Sequence, residues 1–176
     1  VDSSLVLIDA VESGLKPLAV HMDNGWNSEL AQSNIFNLVS SLGVDLETYV
    51  IDWKEYRSLL NAFLNADVLD VELLYDNAMI AVNYRMAKKY GLKHILGGEN
   101  YKTEGYRMPP GWNWFKYDKL NIKSIANSFG VKLRSFPSIG TLDLFRFNIL
   151  HQIKWVRYLD SASIDHTKGL ARLVSD

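Results

Sequence analysis

A chain of 176 residues, 48% of them hydrophobic, is long enough to bury a substantial core and most simply forms one domain. Its net charge of −1 argues against a general grip on nucleic acid, which needs a clustered basic face. The absence of cysteine excludes disulfides, thiolate metal sites and a cysteine nucleophile within this segment. No apolar run reaches the length of a membrane span and no basic-then-apolar leader precedes the first helical pattern, so the expected setting is cytoplasmic.

In chain order, Leu5, Val6, Ile8 and Val11 have helical spacing over 3–12, and Gly14 stops that pattern. Residues 16–22, entered through Pro17, read as a buried parallel strand. A second helix is expected over 27–42, with Ala31, Ile35, Leu38, Val39 and Leu42 on one face and Gly43 as its stop. Residues 45–51 read as a strand, 53–65 and 72–90 as helices, and 93–96 as a third strand. In the longer helix Met79, Val82, Met86 and Tyr90 share a stripe, and Gly91 ends it. This alternation is that of a doubly wound α/β fold with a mainly parallel sheet.

Beyond Asn100 the pattern changes. Residues 101–117 are aromatic-rich and broken by Gly105, Pro109, Pro110 and Gly111. A helix over 118–129 ending at Gly130 and a last strand over 131–135 are expected. From Thr141 onward a helical part is expected, with Leu142, Phe145, Ile149 and Ile153 spaced for burial. The division expected is an α/β unit over 1–140 and a helical extension over 141–176 packed on it.

In an open parallel sheet, ligands bind beyond the carboxyl ends of the strands. Three places meet that rule. Asp2, Ser3 and Ser4 begin a helix, where free amides and the helix dipole favour an anion; the same residues also serve as an ordinary N-cap. Asp23-Asn24-Gly25 joins a strand to a helix, as a nucleotide-facing loop or as a tight turn. Gly97-Gly98-Glu99-Asn100 follows a strand, and its glycines permit close backbone approach to a ligand; a surface turn with a solvated Glu is the other reading.

The order of these pieces resembles the N-type ATP pyrophosphatases. Val1-Asp2-Ser3-Ser4 matches the end of their Ser-Gly-Gly-x-Asp-Ser pyrophosphate loop, so the chain is expected to begin partway through that loop. Val20 to Glu29, Ile95 to Asn100 and Tyr106 to Trp112 resemble, more narrowly, the N-acetyl sugar amidotransferases of surface-polysaccharide biosynthesis. So do Tyr117-Asp118, Asn121-Ile122, Ile125, and Ile153-Lys154-Trp155 leading to Ile164-Asp165. The Ser-Gly-Gly half of the loop, the strand before it, a cysteine-bearing segment and a C-terminal section of that family are missing, and without the first of these the pyrophosphate cradle is expected not to close.

The resemblance implies an adenine nucleotide alpha hydrolase-like (HUP-type) sheet. It implies ATP and Mg²⁺ as cofactors, a nucleotide-linked N-acetyl sugar as substrate, and ammonia from a separate glutaminase and channelling partner. Ser3 and Ser4 would hold phosphates, and Asp2 would organise the loop or Mg²⁺. Asp23 and Asn24 would border the nucleoside, with Gly97, Gly98 and Glu99 as the opposite wall. Lys102, Glu104, Asn100, Tyr106 and Arg107 are the candidates on the sugar-nucleotide side, with Lys102 and Glu104, beside Asp2 and Ser3, as catalytic candidates. Arg107 suits a diphosphate, although a solvated surface charge is the competing reading. Trp112, Trp114 and Phe115 either stack on a ligand or pack beneath a loop. His21 reads as a core histidine, and His94, His151 and His166 lack ligand-like spacing. Other ligases with this loop, for tRNA thiolation or lysidine formation, and a non-catalytic nucleotide-binding module are the alternatives.

Overall fold

Glycines and capping side chains set most of the element boundaries. The computed structural model describes residues 2–100 and 115–161. In order these form α1 (Asp2–Glu12), β1 (Leu18–Asp23), α2 (Glu29–Leu42), β2 (Asp45–Val50), α3 (Trp53–Asn65), α4 (Leu73–Lys89) and β3 (His94–Gly97). There follow α5 (Lys119–Ser128), α6 (Thr141–Phe145) running into a π-helical turn (Arg146–Leu150), β4 (Lys154–Arg157) and α7 (Tyr158–Ser161). Ser28, Asp52 and Asp118 cap α2, α3 and α5, each accepting the amide three residues on at 2.9–3.1 Å. Gly43, at φ +62°, ends α2 in the left-handed conformation that a Cβ would disfavour.

The fold is mixed α/β with short parallel pairings. β1 pairs with β2 from Leu18↔Asp45 to Asp23↔Val50, joined through the α2 crossover. β3 pairs with β4 from His94↔Lys154 to Gly97↔Arg157. Among the described residues the strands form these two pairs rather than one continuous sheet. With a single neighbouring strand, β1 buries only Met22 fully, against the expectation of a strand buried throughout.

α4 is the central element. Leu73, Leu74, Ala78 and Val82 enter one cluster with Leu59, Phe63, Ile122 and Ala126. Ile80, Ala81, Tyr84 and Ala87 enter another with Ile95, Ile139 and Ile153. A helix gripped from two sides is buried over more than half of its circumference, and of the expected stripe only Val82 is fully buried, with Met79 and Met86 half-buried on its flank. Tyr90 leaves the stripe, 45% exposed just past the helix end. Asn77 is fully buried between the two clusters, and all three of its bonds are to backbone. Its Nδ2 donates to the carbonyls of Lys116 and Ile139, both at 2.8 Å, and its Oδ1 accepts the Ile139 amide at 3.0 Å. Lys116 is held further by Asp70 at 2.5 Å and Asp76 at 2.9 Å. Burial opposes the Lys116 charge, but those two carboxylates outweigh it and raise its pKa.

Two expectations need correction. Residues 131–135 are not a strand: the amides of Val131, Arg134 and Ser135 are spent on the Ala126 carbonyl and the Glu55 carboxylate. The Glu55 carboxylate accepts the N–H groups of Arg134 at 2.6 Å, Ser135 at 2.9 Å and Phe136 at 3.2 Å, and the Ser135 hydroxyl at 2.6 Å. Amides turned onto a carboxylate are not available as donors for a ladder. The segment after 140 is helical to Leu150, then supplies β4, and returns to a helix in α7. Leu142, Phe145 and Ile149 are 81%, 60% and 58% exposed. Leu144 and Phe147 face inward instead, and Ile153 is buried beyond the helix end, as the chain turns to join β3. Leu144, Phe147, Ile153 and Trp155 share the second cluster with α4 and β3.

Candidate functional site

The first turn of α1 lies directly against the loop that follows β3. A Cβ on Gly98 would sit 2.5 Å from Ser3 Oγ, 2.9 Å from Ser3 Cα and 3.0 Å from Ser3 N. Only a glycine allows the two backbones this close. Asn100, 1% exposed, donates from Nδ2 to Asp2 Oδ2 at 3.4 Å across 98 positions of sequence. Asp2, Ser3, Gly97, Gly98, Glu99 and Asn100 are therefore brought to one place, beyond the carboxyl end of β3. Ser4 is half-buried in the same helical turn. Below them Leu5 and Val6 pack on Leu159 of α7, which fixes the direction of α1.

Gly97 is constrained from a second side. A Cβ there would overlap Glu99 Oε2 and come within 2.6 Å of Trp155 Nε1, so the Glu99 side chain folds back over the glycine. Glu99 Oε2 is shut off from solvent and has no hydrogen-bond partner among the described residues. Arg157 stands opposite Gly97 in the β3–β4 register. Tyr117, part of the second cluster, feels both charges. Burial raises its hydroxyl pKa most, Arg157 opposes that rise and Glu99 adds to it. Tyr117 is positioned by its neighbour Lys116, which is anchored to α4 through Asp70, Asp76 and Asn77. Sequence reasoning missed Arg157 because its stretch read as helix. A β-rich run, Trp155-Val156 after Ile153, was the available signal.

The Asp23 loop is built on the other strand pair. Asp23 Oδ1 accepts the Gly25 amide at 2.9 Å and Asn27 Nδ2 at 3.3 Å, and Asn24 Oδ1 accepts the Trp26 amide at 3.2 Å. These are the local bonds of an Asx turn, with Gly25 at φ +81°. A Cβ on Gly25 would lie 3.1 Å from the Trp53 ring, and Trp26 meets Trp53 edge to face at 5.6 Å. Trp26 is 66% exposed at the carboxyl end of its strand pair, an open aromatic surface that hydrophobic spacing did not mark.

His21 is half-buried, with Nε2 at 3.2 Å from Asn27 Nδ2. His94 is exposed and His151 lies beside the Phe147 ring. Phe115 is exposed and meets Tyr117 at 5.4 Å. Lys102, Glu104, Tyr106, Arg107, Trp112, Trp114 and His166 lie outside the described residues. Among the described residues no group of His, Asp and Glu is arranged to hold a metal ion, and no helix is long and apolar enough to cross a membrane. A depression of about 420 Å³ is lined by Lys93, His94, Asn148, Gln152 and Lys154 at the amino end of β3 and β4, away from this site.

Comparison with known protein families, characterised proteins and solved structures finds no match to this chain.

Proposed function

We propose that the chain is an ATP-dependent amidotransferase of the ATP pyrophosphatase type, built on a doubly wound HUP-type sheet, acting on the N-acetyl group of a nucleotide-linked sugar. The observation that carries this reading is the contact of Gly98 with the first turn of α1. It joins the two segments that resemble the family's phosphate loop and its Gly-rich wall, at a strand's carboxyl end where ligands of parallel sheets bind.

An amide carbonyl is a poor electrophile. Attack of its oxygen on the α-phosphorus of ATP forms an O–P bond and expels pyrophosphate. Ammonia then adds to the carbon, AMP departs with the C–O bond, and loss of a proton leaves the amidine. The protein's part is placement and neutralisation of charge. Ser3, Ser4 and the backbone amides of the α1 first turn are the donors for phosphate oxygens. Asp2 is the carboxylate at that point and would hold Mg²⁺, which would neutralise phosphate charge there. Asp23 and Asn24 border the nucleoside, through the loop's backbone and the Trp26 surface, because their Oδ1 atoms are engaged in the turn. Asn100, Lys102, Glu104, Tyr106 and Arg107 are the proposed contacts to the sugar nucleotide, and a glutaminase partner supplies the ammonia.

The test is incubation with ATP, Mg²⁺, ammonium and a panel of UDP-N-acetyl sugars. AMP and pyrophosphate should appear in equal amounts with one of the sugars. Absence of both with every sugar, or release of ADP and phosphate instead, would overturn the assignment.

A further inference from the structure

We infer that Glu99 and Arg157 form two ends of one subsite for a phosphorylated sugar, with its hydroxyls on Glu99 and its phosphate on Arg157. The inference rests on the reading of the β3 carboxyl end as the ligand face, and goes further by assigning the ligand's parts.

The Glu99 carboxylate is folded over Gly97 with Oε2 sealed from water and given no donor. A buried carboxylate oxygen without a hydrogen bond is costly, and native structures retain such a group where something absent from the protein completes it. The indole of Trp155 lies close by, yet no hydrogen bond joins them. Arg157, next to Gly97 across the β3–β4 ladder, is exposed and has no carboxylate within 4.0 Å among the described residues. Tyr117 senses both Arg157 and Glu99, so the two charges share a neighbourhood without neutralising each other.

That arrangement selects its ligand. A simple anion would be repelled by Glu99 and a simple cation by Arg157. A molecule with a phosphate at one end and hydroxyl donors at the other satisfies both, since a guanidinium grips phosphate through paired N–H groups and a carboxylate accepts vicinal hydroxyls. The ribose phosphate of ATP and the sugar phosphate of a sugar nucleotide share this chemistry.

Calorimetric titration of the chain and its Glu99→Gln and Arg157→Ala variants with ATP, UDP-N-acetylglucosamine and inorganic pyrophosphate tests the assignment. Arg157→Ala should weaken pyrophosphate and one of the two nucleotides by roughly tenfold. Glu99→Gln should weaken that same nucleotide to a similar degree and leave pyrophosphate within about twofold. Which nucleotide responds identifies the source. Gly97→Ala, whose methyl would displace the Glu99 side chain, should reproduce the Glu99→Gln pattern, and thermal melting confirms that each variant is folded. If both nucleotides bind the unaltered chain and all three variants alike, the subsite is wrong while the ATP reading stands. If the unaltered chain binds neither nucleotide, the ATP reading fails and the subsite with it.

Discussion

Replacing Gly98 with alanine tests the contact on which the site depends. The added methyl would lie 2.9 Å from Ser3 Cα and 3.0 Å from Ser3 N, besides 2.5 Å from Ser3 Oγ. Carbon atoms pack at about 3.5–4.0 Å, so the first turn of α1 must retreat by roughly 0.6–1 Å. Ser3 Oγ can rotate away, but the backbone atoms cannot. Overpacking of this kind costs about 1–3 kcal/mol. Urea unfolding of Gly98→Ala measures that cost, and the Ser3→Ala/Gly98→Ala double variant separates its parts. The double variant should recover only a fraction of the loss, because the backbone contacts persist. Gly91→Ala is the control. Its φ of +68° costs about 1–2 kcal/mol in the left-handed conformation, but nothing lies within 4 Å of the new methyl. Gly98→Ala should also weaken ATP by roughly tenfold, a displacement that Gly91→Ala cannot cause. Stability of Gly98→Ala within about 0.5 kcal/mol of the parent, or full rescue by Ser3→Ala, would refute the reasoning.

Two further predictions concern the scaffold. Glu55→Gln should destabilise the fold by about 1–3 kcal/mol at neutral pH, a figure that already allows for solvent screening of a partly exposed group. Burial alone would raise the Glu55 pKa, but the hydrogen bonds from Ser135, Arg134 and Phe136 outweigh it and hold it below the ordinary 4.5. A carboxylate with a depressed folded pKa contributes stability above its unfolded value and loses it as pH falls through the folded one. The difference between parent and variant should therefore be full at pH 7 and shrink below about pH 4.5, and a pH-independent difference would count against the carboxylate nest. Asn77→Ala removes three hydrogen bonds and strands the Lys116 carbonyl and both backbone groups of Ile139. The expected loss in denaturant unfolding is about 3 kcal/mol or more, and a loss under about 1 kcal/mol would mean that Asn77 does not tie the segments to α4.

Local signals fixed much of what was legible in the chain. The helix over 53–65, the turn glycines at 14, 43, 91 and 130, and the inward face of α2 all appear where spacing and capping place them. These depend on interactions within a few residues, which is why one-dimensional pattern carries them. Leu142, Phe145 and Ile149 failed for the opposite reason. Their spacing suits a buried helix face, but which face is buried depends on where the cluster around Tyr84 and Ile139 happens to lie. The missing strand over 131–135 failed likewise, since nothing nearby in sequence announces that Glu55, 79 positions away from Arg134, will take its amides.

The same division runs through the candidate site. Asp2, Ser3, Gly97, Gly98 and Glu99 are identifiable in sequence as residue types suited to a helix start and a strand's carboxyl end. That Gly98 meets Ser3, that Asn100 reaches Asp2, and that Glu99 lies over Gly97 with an unpartnered oxygen are matters of tertiary structure alone. Parallel pairing brings Arg157 beside Gly97 across 60 positions of chain, a contact with no local signature. The sequence by itself determined which residues could serve a ligand. The packing of α1 and β4 against β3 decided which of them stand together.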